Sequence, residues 1–344
     1  MESIYDLSLK ELQEKLILKG FSRYSAKQIF AWIYKEKTQD FSLMTNIAKG
    51  KREELAKMFS FINFKILKKE KSKDGTKKYL FQLADQEAIE TVMIPEKQRN
   101  TLCVSTQVGC KFNCKFCASK IGGLIRNLSP SEIVNQYLQL SRENKITNIV
   151  FMGIGEPLDN FLNTIKSIKI LTEPKGLNFT NRRISLSTCG LADKIEKLAD
   201  LNLGIKLSIS LHAAEDKKRT QIMPINKKYS LNQLAKSLNY YQKKQKYPPT
   251  FEYILINGFN LGDNDAKKLA KLVNKTGAKL NLIPYNLTNT SSKSTDLAEI
   301  KYFQQKLREK NVIFTTRKSR GDDIKAACGQ LRSFFPGGTR SGHK

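Results

Sequence analysis

The sequence predicts an α/β protein: a parallel sheet, either open or curled into a full or partial barrel, preceded by a small helical and then β accessory unit. Three observations predict it. From about residue 100 onward the chain repeats a short β-branched strand followed by an amphipathic helix, the pattern of right-handed βαβ units. Before residue 60 the apolar residues recur at helical spacing, and between the two stretches the period shortens to that of strands around a glycine turn. A chain of 344 residues, 40% of them hydrophobic, can supply one large core and an appendage.

In the accessory unit, assigned residues 1–95, Ser8 and Glu11 form a capping box before LKELQEKLILKG, and Gly20 supplies a stop. A second helix follows in SAKQIFAWIYKEK, with Ile29, Phe30 and Ile33 on one face. The stretch FINFKILKKEKSKDGTKKYLFQLADQEAIETVMIP holds two or three apolar runs around the turn signal Lys73-Asp74-Gly75. The accessory unit is expected to contact RNA; for the lysines at 65, 68, 69, 71, 73, 77 and 78 the plain alternative is a solvated hairpin, and the flanking phenylalanines read as core in preference to base-stacking platforms.

The core unit is assigned residues 96–344, with a basic C-terminal segment. Its candidate strands are TLCVST, ITNIVFMG, RRISLST, GIKLSISL, TFEYILI, KLNLIP and NVIFTT. Helices are expected near 130 to 143, 160 to 172, 190 to 200, 230 to 245, 263 to 276 and 297 to 309. In such folds the chemistry sits at the carboxyl ends of the strands. A three-cysteine loop follows the first strand and GIGEPLDN the second; Ser187-Thr188-Cys189 closes the third, Ser210-Leu211-His212 the fourth, and Asn286 follows the sixth. The active site is therefore expected at this mouth.

The net charge of +28, from 60 Lys+Arg against 32 Asp+Glu, suits a polyanionic partner, nucleic acid first, because lysines and arginines on phosphates release counterions. Lysine inflation in an AT-rich genome would give part of the same excess. No run approaches the roughly 18 consecutive apolar residues of a membrane span, and MESIYDLSLKEL carries acids where a secretion signal carries an apolar stretch. A cytoplasmic protein with no membrane partner is expected. Six cysteines, three of them crowded together, do not resemble a secreted disulfide framework and fit a metal in a reducing compartment.

Those three lie in VGCKFNCKFC, at the spacing C-x3-C-x2-C. A zinc ribbon needs a second close pair, and Cys103, Cys189 and Cys328 stand alone. Thiolates also hold iron-sulfur clusters, where three of them leave one iron open to a ligand from outside the protein. Cys110, Cys114 and Cys117, with Phe116 before the last, resemble the signature of the radical S-adenosylmethionine (SAM) superfamily. That resemblance implies a (β/α)6-type partial barrel, a [4Fe-4S] cluster on these cysteines, SAM on the open iron and a 5'-deoxyadenosyl radical made from it. It also implies SAM contacts from Gly155, Glu156, Ser187, Ser210, Leu211, His212 and Asn286.

ETVMIP, TLCVSTQVGC, GEPL, SLH, MPIN, LIPYN and DDIKAACGQL narrow the match. Together, across nearly the whole chain, they resemble the adenosine C2 methyltransferases of the RlmN family. The related Cfr type methylates C8 of the same adenosine and carries alanine after the glycine-glutamate pair, where this chain has Pro157; that favours C2. The resemblance implies two SAM per methylation of adenosine 2503 in 23S rRNA and, in some members, adenosine 37 of tRNA. Cys328 would be the S-methylated carrier, Glu90 the proton acceptor from C2, and Cys103 the thiol that releases the product by a transient disulfide with Cys328. Arg317, Lys318, Arg320 and Lys325, just before Cys328, would lower its pKa and meet the RNA backbone. In the family this terminal segment is mobile. Cys189 reads as a small buried hydrophobe. A reducing electron donor, flavodoxin-like or similar, is implied; a monomer is expected. The contrasting expectation is a non-catalytic iron-sulfur RNA-binding protein, which would make no 5'-deoxyadenosine.

Overall fold

A computed structural model describes residues 1–285, 297–317 and 320–331. Ten strands form one sheet: β1 (Lys65–Lys71), β2 (Lys77–Gln82), β3 (Ala88–Glu96), β4 (Arg99–Cys103), β5 (Asn148–Phe151), β6 (Ile184–Thr188), β7 (Lys206–Ser210), β8 (Thr250–Leu255), β9 (Lys279–Pro284) and β10 (Phe314–Thr316). Their order across the sheet is their order in the chain. From β4 to β10 every neighbouring pair is parallel. Right-handed crossovers between strands in strict sequence put the helices on one face and curl the sheet, which gives the partial barrel.

Strands β1 to β3 are antiparallel and extend the sheet beyond β4. The division expected near residue 95 falls in the β3–β4 hairpin, where Glu96 pairs with Arg99. The β part of the accessory unit is thus continuous with the core sheet. Its phenylalanines are core, as Phe59, Phe64 and Phe81 are buried. The lysine run is not uniformly solvated, because alternation along β2 turns Lys78 inward, to 8% exposure.

Three helices precede the sheet: α1 (Leu9–Ile17), α2 (Arg23–Tyr34) and α3 (Lys49–Met58). The Ser8–Glu11 capping box opens α1, and Ile29, Phe30 and Ile33 are fully buried. Between β4 and β10 lie α4 (Pro130–Leu140), α5 (Phe161–Thr172), α6 (Ala192–Asp200), α7 (Asp216–Ile222), α8 (Leu231–Lys244), α9 (Asp263–Thr276) and α10 (Leu297–Glu309). Capping boxes from Ser129 and Ser230 start α4 and α8, and Gly277 ends α9 in the left-handed region. The N-terminal helices rest on the barrel helices: Asp6 accepts from the Ser131 amide at 2.8 Å, and Lys166 donates to Glu11 at 2.6 Å. The short α7 and a two-stranded ribbon, Gln107–Gly109 with Leu124–Asn127, lack a long apolar period and were not foreseeable from pattern. No helix among the described residues is long and apolar enough to cross a membrane.

Candidate active site

The ribbon after β4 carries the three cysteines at its tip. Gly109, at φ +77, closes its base: a Cβ there would lie 1.9 Å from the Gly123 carbonyl oxygen, so only glycine fits. The Cys110 amide donates to that same carbonyl at 2.9 Å, and Cys117 to Cys114 O at 3.1 Å. Burial pushes the Cys110 thiol up to about 12 and raises Cys114 and Cys117 as well; Cys117 adds to the rise of Cys110, and both add to that of Cys114. Buried thiols of this kind give up protons readily only to a metal. Among the described residues no three His, Cys, Asp or Glu side chains converge closely enough for a single ion. A cluster asks for less convergence, because each thiolate ligates a different iron; the donor set therefore fits a cluster better than zinc.

The barrel mouth beside this loop is held by three buried polar side chains that the sequence did not single out. Gln107, fully buried, accepts from the Glu156 amide at 2.8 Å and donates to Asn127 and Asp159 at 2.8 and 2.9 Å. A Cβ on Gly155 would come within 2.5 Å of the Gln107 Cβ. The Glu156 carboxylate accepts from the amides of Cys189 (2.7 Å) and Leu158 (3.0 Å), and burial nonetheless raises its pKa. It thereby ties the loop after β5 to the end of β6.

Arg219, on α7 and also fully buried, donates to the carbonyls of Cys189 (2.7 Å), Ser210 (3.2 Å) and Leu211 (3.2 Å) and to Asn226 Oδ1 (2.9 Å). One guanidinium thus gathers the ends of β6 and β7; the only hint of it in sequence was its neighbour Asn226 in MPIN. Arg219→Met would strand two buried carbonyls and a part-buried one and is expected to lower unfolding stability by about 3 kcal/mol or more, measured by denaturant titration. A loss under about 0.5 kcal/mol would contradict this account. The third, Glu252 on β8, accepts from Asn281 at 2.6 Å and is raised by burial.

His212 sits at φ +58, its Nδ1 accepting the Ile254 amide at 3.1 Å. Burial, then the Arg219 charge, press its pKa down to about 3, so it is neutral. Phe116 meets its ring edge-on at 4.5 Å between centroids.

These groups border one cavity open to solvent, lined by the three cysteines together with Gly155, Glu156, Ser187, Ser210 and His212, a concave site with a few convergent polar groups such as a small-molecule cofactor takes. The Leu211 side chain instead lies in the main hydrophobic core. Asn286 and Lys318 lie outside the described residues. A second, smaller cavity contains Cys103, and Cys117, Arg317 and Cys328 line both. Cys328 is exposed, with Arg317 Nη1 3.7 Å from its sulfur, and this neighbour is the largest cause of a raised Arg317 pKa. Cys103 is buried in an apolar patch with Val92, Ile154, Ala326 and Leu331. Burial, then the nearby Cys328, push its thiol up to about 12, against a lowering by Arg317. Cys189 is buried, as expected of a small hydrophobe. Glu90 lines neither cavity; it is on β3, on the same sheet face as Cys103.

The family model described as Radical SAM superfamily matches residues 104–273, and that of the ribosomal RNA large subunit methyltransferase N-terminal domain matches residues 3–61. The chain is 42% identical to the dual-specificity RNA methyltransferase RlmN of a Nitratiruptor species, over 96% of this chain and 98% of that one. It is also 42% identical to the RlmN of Geotalea uraniireducens, with 96% of each chain covered. A crystal structure of a radical SAM methyltransferase from Sphaerobacter thermophilus superposes with a TM-score of 0.89 at 40% identity, covering 96% of this chain and 99% of the other. Fold, cysteine loop and near full-length identity agree, and the chain belongs to the RlmN family of radical SAM RNA methyltransferases.

Proposed function

We propose that this enzyme methylates C2 of adenosine 2503 in 23S rRNA and of adenosine 37 in tRNA, with Cys328 as the methyl carrier. The observation that carries this reading is the position of Cys328, on the wall shared by the cavity of the cysteine loop and the cavity of Cys103. A carrier must face a methyl donor on one side and a resolving thiol on the other. C2 of adenine lies between two ring nitrogens and offers no lone pair, so direct displacement on SAM is closed to it; a thiolate accepts a methyl group easily. Cys110, Cys114 and Cys117 would hold the cluster, and Gly155, Glu156, Ser187, Ser210, His212 and Asn286 would line the SAM site. Bound there, cluster and SAM would supply a radical able to take hydrogen from the S-methyl group.

The chain's own residues do the rest. Arg317 faces the Cys328 sulfur, and Glu90 receives the C2 proton. Cys103 attacks the Cys328 sulfur: a disulfide forms as the bond from that sulfur to the transferred carbon breaks, and the carbon keeps the electron pair and takes up a proton to complete the methyl group on the freed RNA. The excess of 60 Lys+Arg over 32 Asp+Glu suits an RNA substrate, with the N-terminal helices and hairpin as a further contact surface. A flavodoxin-like donor, a monomeric state and a cytoplasmic setting complete the reading. The test is mass spectrometry of nucleosides from rRNA and tRNA after anaerobic reaction with SAM and reductant. 2-Methyladenosine from both is expected; methyl at C8, or none on adenine, overturns the assignment.

A further inference from the structure

Lys78 is buried where its neighbours in the lysine run are not. Its Nζ lies 3.2 Å from a carboxylate oxygen of Glu90, 3.2 Å from one of Glu70, and 3.5 Å from the carbonyl oxygen of Lys325. Strand register causes this. Lys78 on β2 pairs with Glu70 on β1 and Val92 on β3, Val92 pairs with Cys103 on β4, and Glu90 stands two residues before Val92 on the same face. One sheet face therefore presents Glu70, Lys78, Glu90 and Cys103 as near neighbours.

The C-terminal segment closes over this face. Asp74 in the β1–β2 turn accepts from the Gly321 amide at 3.0 Å, Asp323 accepts from the Lys73 amide at 3.2 Å, and Ala326 and Leu331 pack on Val92 and Cys103. Lys325, whose carbonyl meets Lys78, is three residues before Cys328. A buried ion pair is a poor way to stabilise a sheet, since apolar residues of similar volume often do as well or better. Its presence here asks for a role, and the role lies with Glu90.

We propose that Lys78 is the positioning residue of the Glu90 base, holding its carboxylate in place beside the segment that carries Cys328; this rests on Glu90 being the base. In the step it serves, the C2–H bond of the Cys328–RNA adduct breaks, its electron pair stays with the ring, and the proton moves to a Glu90 oxygen. Glu70 remains beside Lys78 as its counter-charge when Glu90 becomes neutral.

The test uses the reconstituted full-length enzyme and an RNA fragment carrying deuterium at C2 of the target adenosine, with single-turnover assays of Cys328 methylation, covalent adduct and product. Lys78→Gln is expected to methylate Cys328 and form adduct as wild type does. It should resolve the adduct roughly tenfold more slowly, short of the 10²–10⁴-fold full contribution of a general base. The deuterium should slow its product release more than it slows the wild type, and Lys78→Arg should restore most of the rate. Lys78→Met is the second variant and should behave as Lys78→Gln does. Resolution at the wild-type rate, or loss of Cys328 methylation in step with resolution in both variants, overturns the proposal. Glu90→Gln separates the two layers. If it traps adduct while Lys78→Gln resolves freely, Lys78 alone is refuted; if it too resolves freely, the base assignment falls and the proposal falls with it.

Discussion

Replacing Cys328 by alanine is expected to cut formation of methylated adenosine by more than about 10⁴-fold, the scale on which loss of a covalent nucleophile acts. The residue is exposed, so the substitution creates no cavity and the fold should survive; a melting curve unchanged from wild type is the control. The chemical reason is that nothing else in the site can carry the methyl group. Cys103 and Cys189 are buried thiols whose pKa burial raises, and Cys110, Cys114 and Cys117 belong to the cluster loop. Cys328→Ser should be as inactive, because a hydroxyl at neutral pH is too weak a nucleophile to accept a methyl group. Two readouts decide it. Peptide mass spectrometry should find an S-methyl group on Cys328 of the wild type and on no cysteine of the variant, and nucleoside analysis should find no 2-methyladenosine. Retained methylation of the RNA would remove Cys328 from the mechanism.

What could be read in advance was what local pattern encodes. Seven strands and the six long helices of the barrel were legible because each has an apolar period of its own, and Ser8 marked a helix start by chemistry that spans four residues; Ser129 and Ser230 cap their helices in the same way. The cysteine loop was legible for the same reason: its spacing is local. Arg219, Gln107 and Glu252 were not, since their partners lie on other elements and nothing in a run such as KKRTQI distinguishes the arginine that turns inward. Lys78 is the sharpest case. It stands beside Lys77 in the sequence, yet the pleat sends the two to opposite faces, and only pairing with Glu70 and Val92 identifies the buried one. The domain division at residue 95 has the same origin: a change of period marks where a strand begins, but not which sheet it joins.

Cys103 is the residue whose removal should leave the most visible trace. Cys103→Ala is expected to leave Cys328 methylation and adduct formation intact while the covalent enzyme–RNA species accumulates toward one equivalent per enzyme, seen as a shifted band on a denaturing gel. With no second thiol, the bond between Cys328 and the RNA has no internal nucleophile to break it. The same step should depend on pH with a predictable sign. Attack on sulfur requires the Cys103 thiolate, and burial together with the Cys328 charge pushes that thiol up to about 12. Below that value the thiolate fraction grows about tenfold for each unit of pH. Wild-type adduct should therefore resolve faster as the pH is raised from neutrality toward 9, provided that step limits turnover. The Cys103→Ala variant should show no such rise. Arg317 opposes the upward shift of Cys103 while contacting Cys328, so one guanidinium stands beside both sulfurs of the disulfide to be formed. An unimpaired Cys103→Ala enzyme, or adduct resolution that slows as the pH rises, would show that release takes another route.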